Sequence, residues 1–260
     1  MTAIRPMMAA PSADLEPYVR NFWWVRPAHD ARRGTKHADG NLGLELVVDV
    51  ERGTRAATAT LRWDPSGTEA QALHLRPHRA LLGVRFEPSG FFRLFASPVG
   101  EPLAKALGLC AQGMTQPCRS VLCALEQGEA PQGALEALLR ERLRLPDRRH
   151  PIVRSAIDGI ASHGGHVVIA DLVRDASVSR RHFERLFREQ VGLSPAAFAR
   201  LAQVDKARGL LVSGSWPLAR IAQECGFFDQ AHLSREFRRA MGTSPGAYRD
   251  RKKLAAATTG

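Results

Sequence analysis

The sequence His182-Phe183-x-Arg185-x-Phe187-Arg188-x-x-x-Gly192-x-Ser194-Pro195-x-Ala197-Phe198 returns 50 positions later as His232-Leu233-x-Arg235-x-Phe237-Arg238-x-x-x-Gly242-x-Ser244-Pro245-x-Ala247-Tyr248. His, Arg, Phe, Arg, Gly, Ser and Pro are identical in the two copies. A step of about 100° per residue gathers Phe183, Leu186, Phe187, Gln190 and Val191 on one side of a helix. Arg181, Glu184, Arg185 and Arg188 fall on the other. The second copy sorts alike, with Leu233, Phe237, Ala240 and Met241 inward and Ala231, Ser234, Arg235 and Arg238 outward. A repeat that keeps an apolar stripe and a basic stripe keeps a surface as well as a core.

The surroundings repeat too. Asp171 to Ala176 reads as a short helix and Ser177-Val178-Ser179 as a tight turn, with Ser179 placed to cap the helix Arg180 to Val191. Gly192 ends that helix, which completes a helix-turn-helix. Ser194-Pro195 is a cap followed by a residue preorganised for the first helical turn. It opens a helix of about 17 residues, about 25 Å long. Gly209 inside it costs about 1 kcal/mol relative to Ala, so close helix packing is expected there. Leu218, Ile221, Ala222 and Cys225 make a second scaffold helix, Gly226 opens its turn, and Gln230 to Met241 is the second repeated helix. Ser244-Pro245 then caps a last short helix. Upstream, Val153, Ala156, Ile157 and Ile160 form an amphipathic helix that Gly164-Gly165 ends.

Charge bears on what these helices face. The 260-residue chain carries +11, and from Pro151 onward 17 basic residues stand against 10 acidic ones. A basic domain fits a polyanion. The arginine fork can bond guanine O6 and N7 together or grip a phosphate. A spacer of about 25 Å can set two such helices roughly one DNA turn, about 34 Å, apart. A single copy could be only a solvated amphipathic face; two copies with the same basic positions argue for two DNA-reading helices. Gly242-Thr243-Ser244-Pro245-Gly246 fits the nucleophile-elbow pattern, but a helix, not a strand, precedes it. No catalytic residue is assigned. His163, His166, His182 and His232 lack metal or triad spacing, with His182 and His232 at the border of the two arcs. Cys110, Cys118, Cys123 and Cys225 contain no CxxC pair, so no metal site is assigned; reduced thiols are expected, with redox or metal sensing by the first three as the alternative.

The first half reads differently. Leu15, Tyr18, Val19, Phe22, Trp23 and Trp24 suggest an aromatic core edge, or else a pocket wall. Leu42 to Val50 alternates with period two, Thr58 to Trp63 is a return strand and Ala80 to Phe86 another, with turns at Asp39-Gly40, Arg52-Gly53-Thr54 and Pro65-Ser66-Gly67. This spacing suggests a small antiparallel barrel or sandwich. Phe91 to Phe95 and Leu103 to Leu109 look like short helical pieces. Leu122, Leu125, Leu135, Leu138, Leu139 and Leu143 carry helical spacing. Pro146 to Pro151 has prolines at both ends and charge between, and reads as a linker with nothing to bury. No apolar run is long enough for a membrane span, and the N-terminus lacks a signal-peptide core.

Residues 152–251 resemble the AraC-type family of bacterial transcription regulators. The resemblance rests on Gly226-Phe227-Phe228-Asp229-Gln230-Ala231-His232-Leu233 followed by Arg235, Phe237, Gly242, Ser244-Pro245 and Tyr248-Arg249. It implies two helix-turn-helix units joined by one long helix and binding to asymmetric half-sites near promoters. It also implies base-facing roles for Arg181, Glu184 and Arg185, and for Gln230, Ala231, Ser234 and Arg235, although Ala231 stands where a polar residue is common. More weakly, Leu15-Glu16-Pro17-Tyr18-Val19, Trp23, Asp39-Gly40 and Gly83-Val84-Arg85-Phe86 are similar to a β-rich sensor domain of such regulators.

The expectation is an α+β protein. A β-rich, small-barrel or cupin-like domain with helices occupies 1–146, a linker 147–151, a double helix-turn-helix domain 152–253 and a tail 254–260. The expected DNA-binding set is Arg180, Arg181, Glu184, Arg185, Arg188, Gln230, Ala231, Ser234, Arg235 and Arg238. Of the two copies, the first is expected to discriminate bases more sharply and the second to anchor. The partners are double-stranded DNA, RNA polymerase, a small-molecule effector and a second copy of the chain, with no cofactor, no membrane and a cytoplasmic location. The alternatives are a DNA-binding domain fused to a cysteine-based or other enzymatic domain, and a basic architectural protein without sequence preference.

Overall fold

A computed structural model describes residues 6–25, 32–36, 44–51, 59–65, 71–75, 79–97, 120, 123–124 and 129–259. The turns expected at Asp39-Gly40, Arg52 to Thr54 and Ser66-Gly67, the piece at Leu103 to Leu109, Leu122, Leu125, Cys110 and Cys118 lie outside the described residues.

The strands are β1 (Met7–Ala9), β2 (Val19–Val25), β3 (Arg32–Lys36), β4 (Leu44–Glu51), β5 (Ala59–Pro65), β6 (Gln71–Leu75) and β7 (Arg79–Phe86). β1-β2-β7-β4-β5 is the order of a five-stranded antiparallel sheet, and β3 pairs with β6. The alternating stretches behave as read, since Val48 pairs with Leu61 on β5 and with Leu82 on β7. The aromatic stretch packs in a core, as read, and Val19–Val25 is an inner strand between β1 and β7. It escapes the period-two rule because Phe22, Trp23, Trp24 and Val25 are all buried and the register shifts between Val19 and Asn21. Trp23 lies where a Cβ on its partner Gly83 would sit.

α1 (Gly90–Phe95) and α2 (Gln132–Leu143) close this sheet's core. Phe86 meets Phe91 and Phe95 edge to face, and Leu135 and Leu139 join the same cluster as Phe22, Trp24, Leu82 and Val84.

The linker is not the empty tether its composition suggested. Arg93, only 9% exposed, donates to the carbonyls of Leu143 and Leu145 at 3.0 and 3.1 Å and approaches Asp147 at 3.7 Å. Asp147 also pairs with Arg149 at 2.8 Å. The Tyr18 ring takes both guanidinium groups, Arg93 at 5.5 Å and Arg149 at 5.2 Å. Charge between prolines therefore packs, because aromatic and charged partners arrive from residues far away in sequence.

Beyond it run α3 (Pro151–Ser162), α4 (Ile169–Asp175), α5 (Arg180–Val191), α6 (Pro195–Ser213), α7 (Leu218–Glu224), α8 (Gln230–Met241) and α9 (Pro245–Thr259). They share one core, in which Val153, Ile160, Phe183, Phe187, Phe198, Ile221, Leu233 and Phe237 are each fully buried. α6 is the spine; α3, α5, α7, α8 and α9 all pack against it. Its 19 residues make it about 28 Å long.

Two expectations here need correcting. Gly209 packs against nothing, since a Cβ there would meet open space. The close approach belongs to Gly165, with φ +81°, where a Cβ would overlap the Ala199 carbonyl of α6. The last helix is also not short. α9 continues to Thr259, through the residues read as a tail.

Candidate nucleic-acid interface

The two repeated helices sit in matching frames. Ser179 Oγ accepts the His182 N–H at 3.3 Å to start α5, and Asp229 Oδ1 accepts the His232 N–H at 2.6 Å to start α8. Gly192 (φ 85°) and Gly242 (φ 66°) end them in the left-handed conformation, each N–H reaching back to the Arg188 or Arg238 carbonyl. Such an end favours glycine because a Cβ is strained there. The next helix locks on equally in both. Phe187 meets Phe198 edge to face at 5.5 Å, and Phe237 meets Tyr248 in the same way at 5.5 Å. The repeated Phe, Gly and Ser-Pro are thus one fastening used twice, with Ser194 and Ser244 each capping through a backbone N–H. Ser244 lies between two helices and spends its hydroxyl on a cap, so it is no nucleophile elbow.

Further contacts fix the second unit on the spine. From α6, Lys206 Nζ donates to the Glu224 carbonyl at 2.8 Å and Gln203 to the Gly226 carbonyl at 3.4 Å. Arg249 of α9 donates to the Trp216 carbonyl at 2.7 Å, while Arg220 lies 3.9 Å over the Trp216 ring. A composition-based reading does not find these contacts, because each joins distant turns through one side chain.

The outer faces carry the expected residues. Arg180, Arg181, Arg185 and Arg188 are exposed on α5 with Glu184 half-buried; Gln230, Ala231, Arg235 and Arg238 are exposed on α8 with Ser234 half-buried. The structure brings each set onto one helix surface and keeps the two sets on separate helices. Arg180 pairs with Glu184 at 2.8 Å and Arg185 with Glu189 at 3.2 Å. Such exposed i,i+4 pairs contribute only about 0.3–0.5 kcal/mol, so a phosphate or base can displace them cheaply. Among the described residues Arg181, Arg188, Arg235 and Arg238 have no acidic partner. The two border histidines, both half-buried, make different contacts. His232 packs edge to face on Phe227 at 5.4 Å, and His182 Nδ1 lies 3.3 Å from Arg185. Cys225 is buried, and burial pushes its thiol up to about 11. Among the described residues no group of three or more His, Cys, Asp or Glu side chains is placed to hold a metal ion.

This fold and surface define a double helix-turn-helix DNA-binding domain, and comparison with known proteins carries the point further. A helix-turn-helix domain family matches residues 172–251, and a domain of unknown function (DUF6597) matches residues 7–106. The arabinose operon regulatory protein of Salmonella typhimurium is 30% identical over 120 residues, 44% of this chain and 43% of that protein. The xylose operon regulatory protein of Escherichia coli is 31% identical over 135 residues, 48% of this chain and 34% of that protein. The C-terminal domain of AraT, a response regulator from Geobacillus stearothermophilus, is 30% identical, covers 40% of this chain and 88% of its own, and superposes with a TM-score of 0.38. The chain spans less than half the length of the curated relatives it matches. Its C-terminal domain is thus similar to the DNA-binding domains of AraC-type transcription regulators.

Proposed function

We propose that this protein is a sequence-specific transcription regulator whose α5 and α8 read successive major-groove segments of double-stranded DNA. One observation carries the reading: two arginine ridges stand exposed on helices held by the same kind of cap and the same aromatic fastening, both packed on one spine helix. Arg181, Glu184 and Arg185 face bases from α5, and Gln230, Ala231, Ser234 and Arg235 from α8. Arg180, Arg188 and Arg238 hold phosphates. Residues 1–146 form a small cupin-like barrel that controls the reader through a small effector or through dimerisation, with RNA polymerase as a further partner in the cytoplasm. Its separate apolar cluster, ending at α2, supports a division at 147–151. Among the described residues no helix is long and apolar enough to cross a membrane.

The test is selection from random duplexes, followed by Arg185→Ala and Arg235→Ala on the selected site. Each variant is expected to lose about 1–3 kcal/mol at one base position, in different halves of the site. Equal weakening on all sequences, with a reduced salt slope, identifies phosphate contacts instead and overturns the assignment.

A further inference from the structure

Phe228 is 92% exposed, more than any other large apolar side chain described. Its neighbours hold it there. Phe227 is buried against the His232 ring, Asp229 caps α8, and the Phe228 N–H itself donates to His232 Nδ1 at 3.4 Å. A residue just before the cap often folds back on the fourth helical residue as a hydrophobic staple. Here that residue is Leu233, which is fully buried without help from the exposed ring. In the first unit the matching position is Val178, half-buried against the helical core. The aromatic ring thus projects from the second unit alone.

Its surroundings narrow what it meets. The leading end of a recognition helix is the end that reaches base edges. On α8 that end offers exposed Gln230 and Ala231 after the Asp229 carboxylate, which is engaged in the cap, while the basic Arg235 and Arg238 lie further along. Among the groups a base pair shows in the major groove, the thymine C5-methyl is the apolar one, and Ala or Phe side chains are its usual partners. We propose that Phe228 is a specificity residue that reads the C5-methyl group of one thymine, with the small apolar Ala231 on the same leading turn of the helix leaving room for the base edge. The proposal rests on the reading of α8 as a recognition helix.

The experiment uses the full chain and its selected duplex, with each thymine replaced in turn by deoxyuridine, which removes only the methyl group. At one thymine in the half of the site weakened by Arg235→Ala, the replacement is expected to lower wild-type affinity about four-fold, the worth of one buried carbon. Phe228→Ala is expected to lose about the same factor on the thymine duplex, to bind the two duplexes equally, and to melt at the wild-type temperature. Continued discrimination between thymine and uracil by Phe228→Ala overturns the proposal, as does a uniform loss on every sequence. A wild-type chain that selects no sequence removes the recognition-helix reading itself. Selection with no uracil-sensitive thymine removes only the role of Phe228.

Discussion

The backbone N–H of His150 donates to Gln190 Oε1 at 3.0 Å, tying the end of the linker to the inner face of α5. Gln190 is 3% exposed, a polar residue on a buried face, and this bond is its reason for being there. Gln190→Met keeps the volume and removes the acceptor. It is expected to cost about 1–2 kcal/mol, read as a lower midpoint in urea unfolding. An unchanged midpoint would show that water replaces the side chain at no cost.

Two glycines should respond to alanine with opposite signs. Gly209 sits in a helix with open space around it, so Gly209→Ala is expected to add about 0.5–1 kcal/mol. Gly165 has φ +81° and would press a Cβ on the α6 backbone, so Gly165→Ala is expected to lose about 1–3 kcal/mol. Thermal melting of both variants against the parent checks the pair.

Arg149 holds the Asp147 carboxyl below its ordinary value of 3.8. A carboxyl lowered on folding contributes stability above its unfolded pKa, and the contribution is lost as pH falls through the folded value. Asp147→Asn is therefore expected to be less stable than wild type at about pH 6, with the gap closing as pH falls below the ordinary carboxyl value of 3.8. A gap that stays constant with pH would mean that the carboxylate charge contributes nothing.

Thiol labelling separates the described cysteines. Cys123 is exposed, while Cys225 is buried with its thiol pushed up to about 11. Iodoacetamide at about pH 8, where a thiolate of that pKa is scarce, is expected to modify Cys123 in the native protein and Cys225 only after denaturation. Peptide mass mapping reads the result.

What was legible in the sequence was what local chemistry decides. Ser179, Gly192 and Ser194-Pro195 mark helix ends by rules that reach only a few residues, and those ends fall where the repeat put them. The buried arcs of α5 and α8 follow from periodicity in the same way. β2 was hidden because a strand buried on both faces loses its alternation. Gly209 misled because a small residue in a helix does not say what stands beside it. The run Lys252-Lys253-Leu254-Ala255-Ala256-Ala257 consists of good helix formers, and the full length of α9 could have been read from it. Phe228 was quoted in the motif, but its exposure depends on Phe227 taking the inner place, which spacing alone does not tell.

Tyr18, held between Arg93 and Arg149, makes the segment after Leu145 a strut rather than a string. Cutting the chain at Pro151 would therefore do more than subtract the first domain. The severed piece would lose the His150 N–H that Gln190 accepts, along with the Arg149–Tyr18 contact that braces the segment just before it, so its first recognition helix would stand on an altered footing. Affinities measured on such a fragment would describe a reader cut loose from its mount.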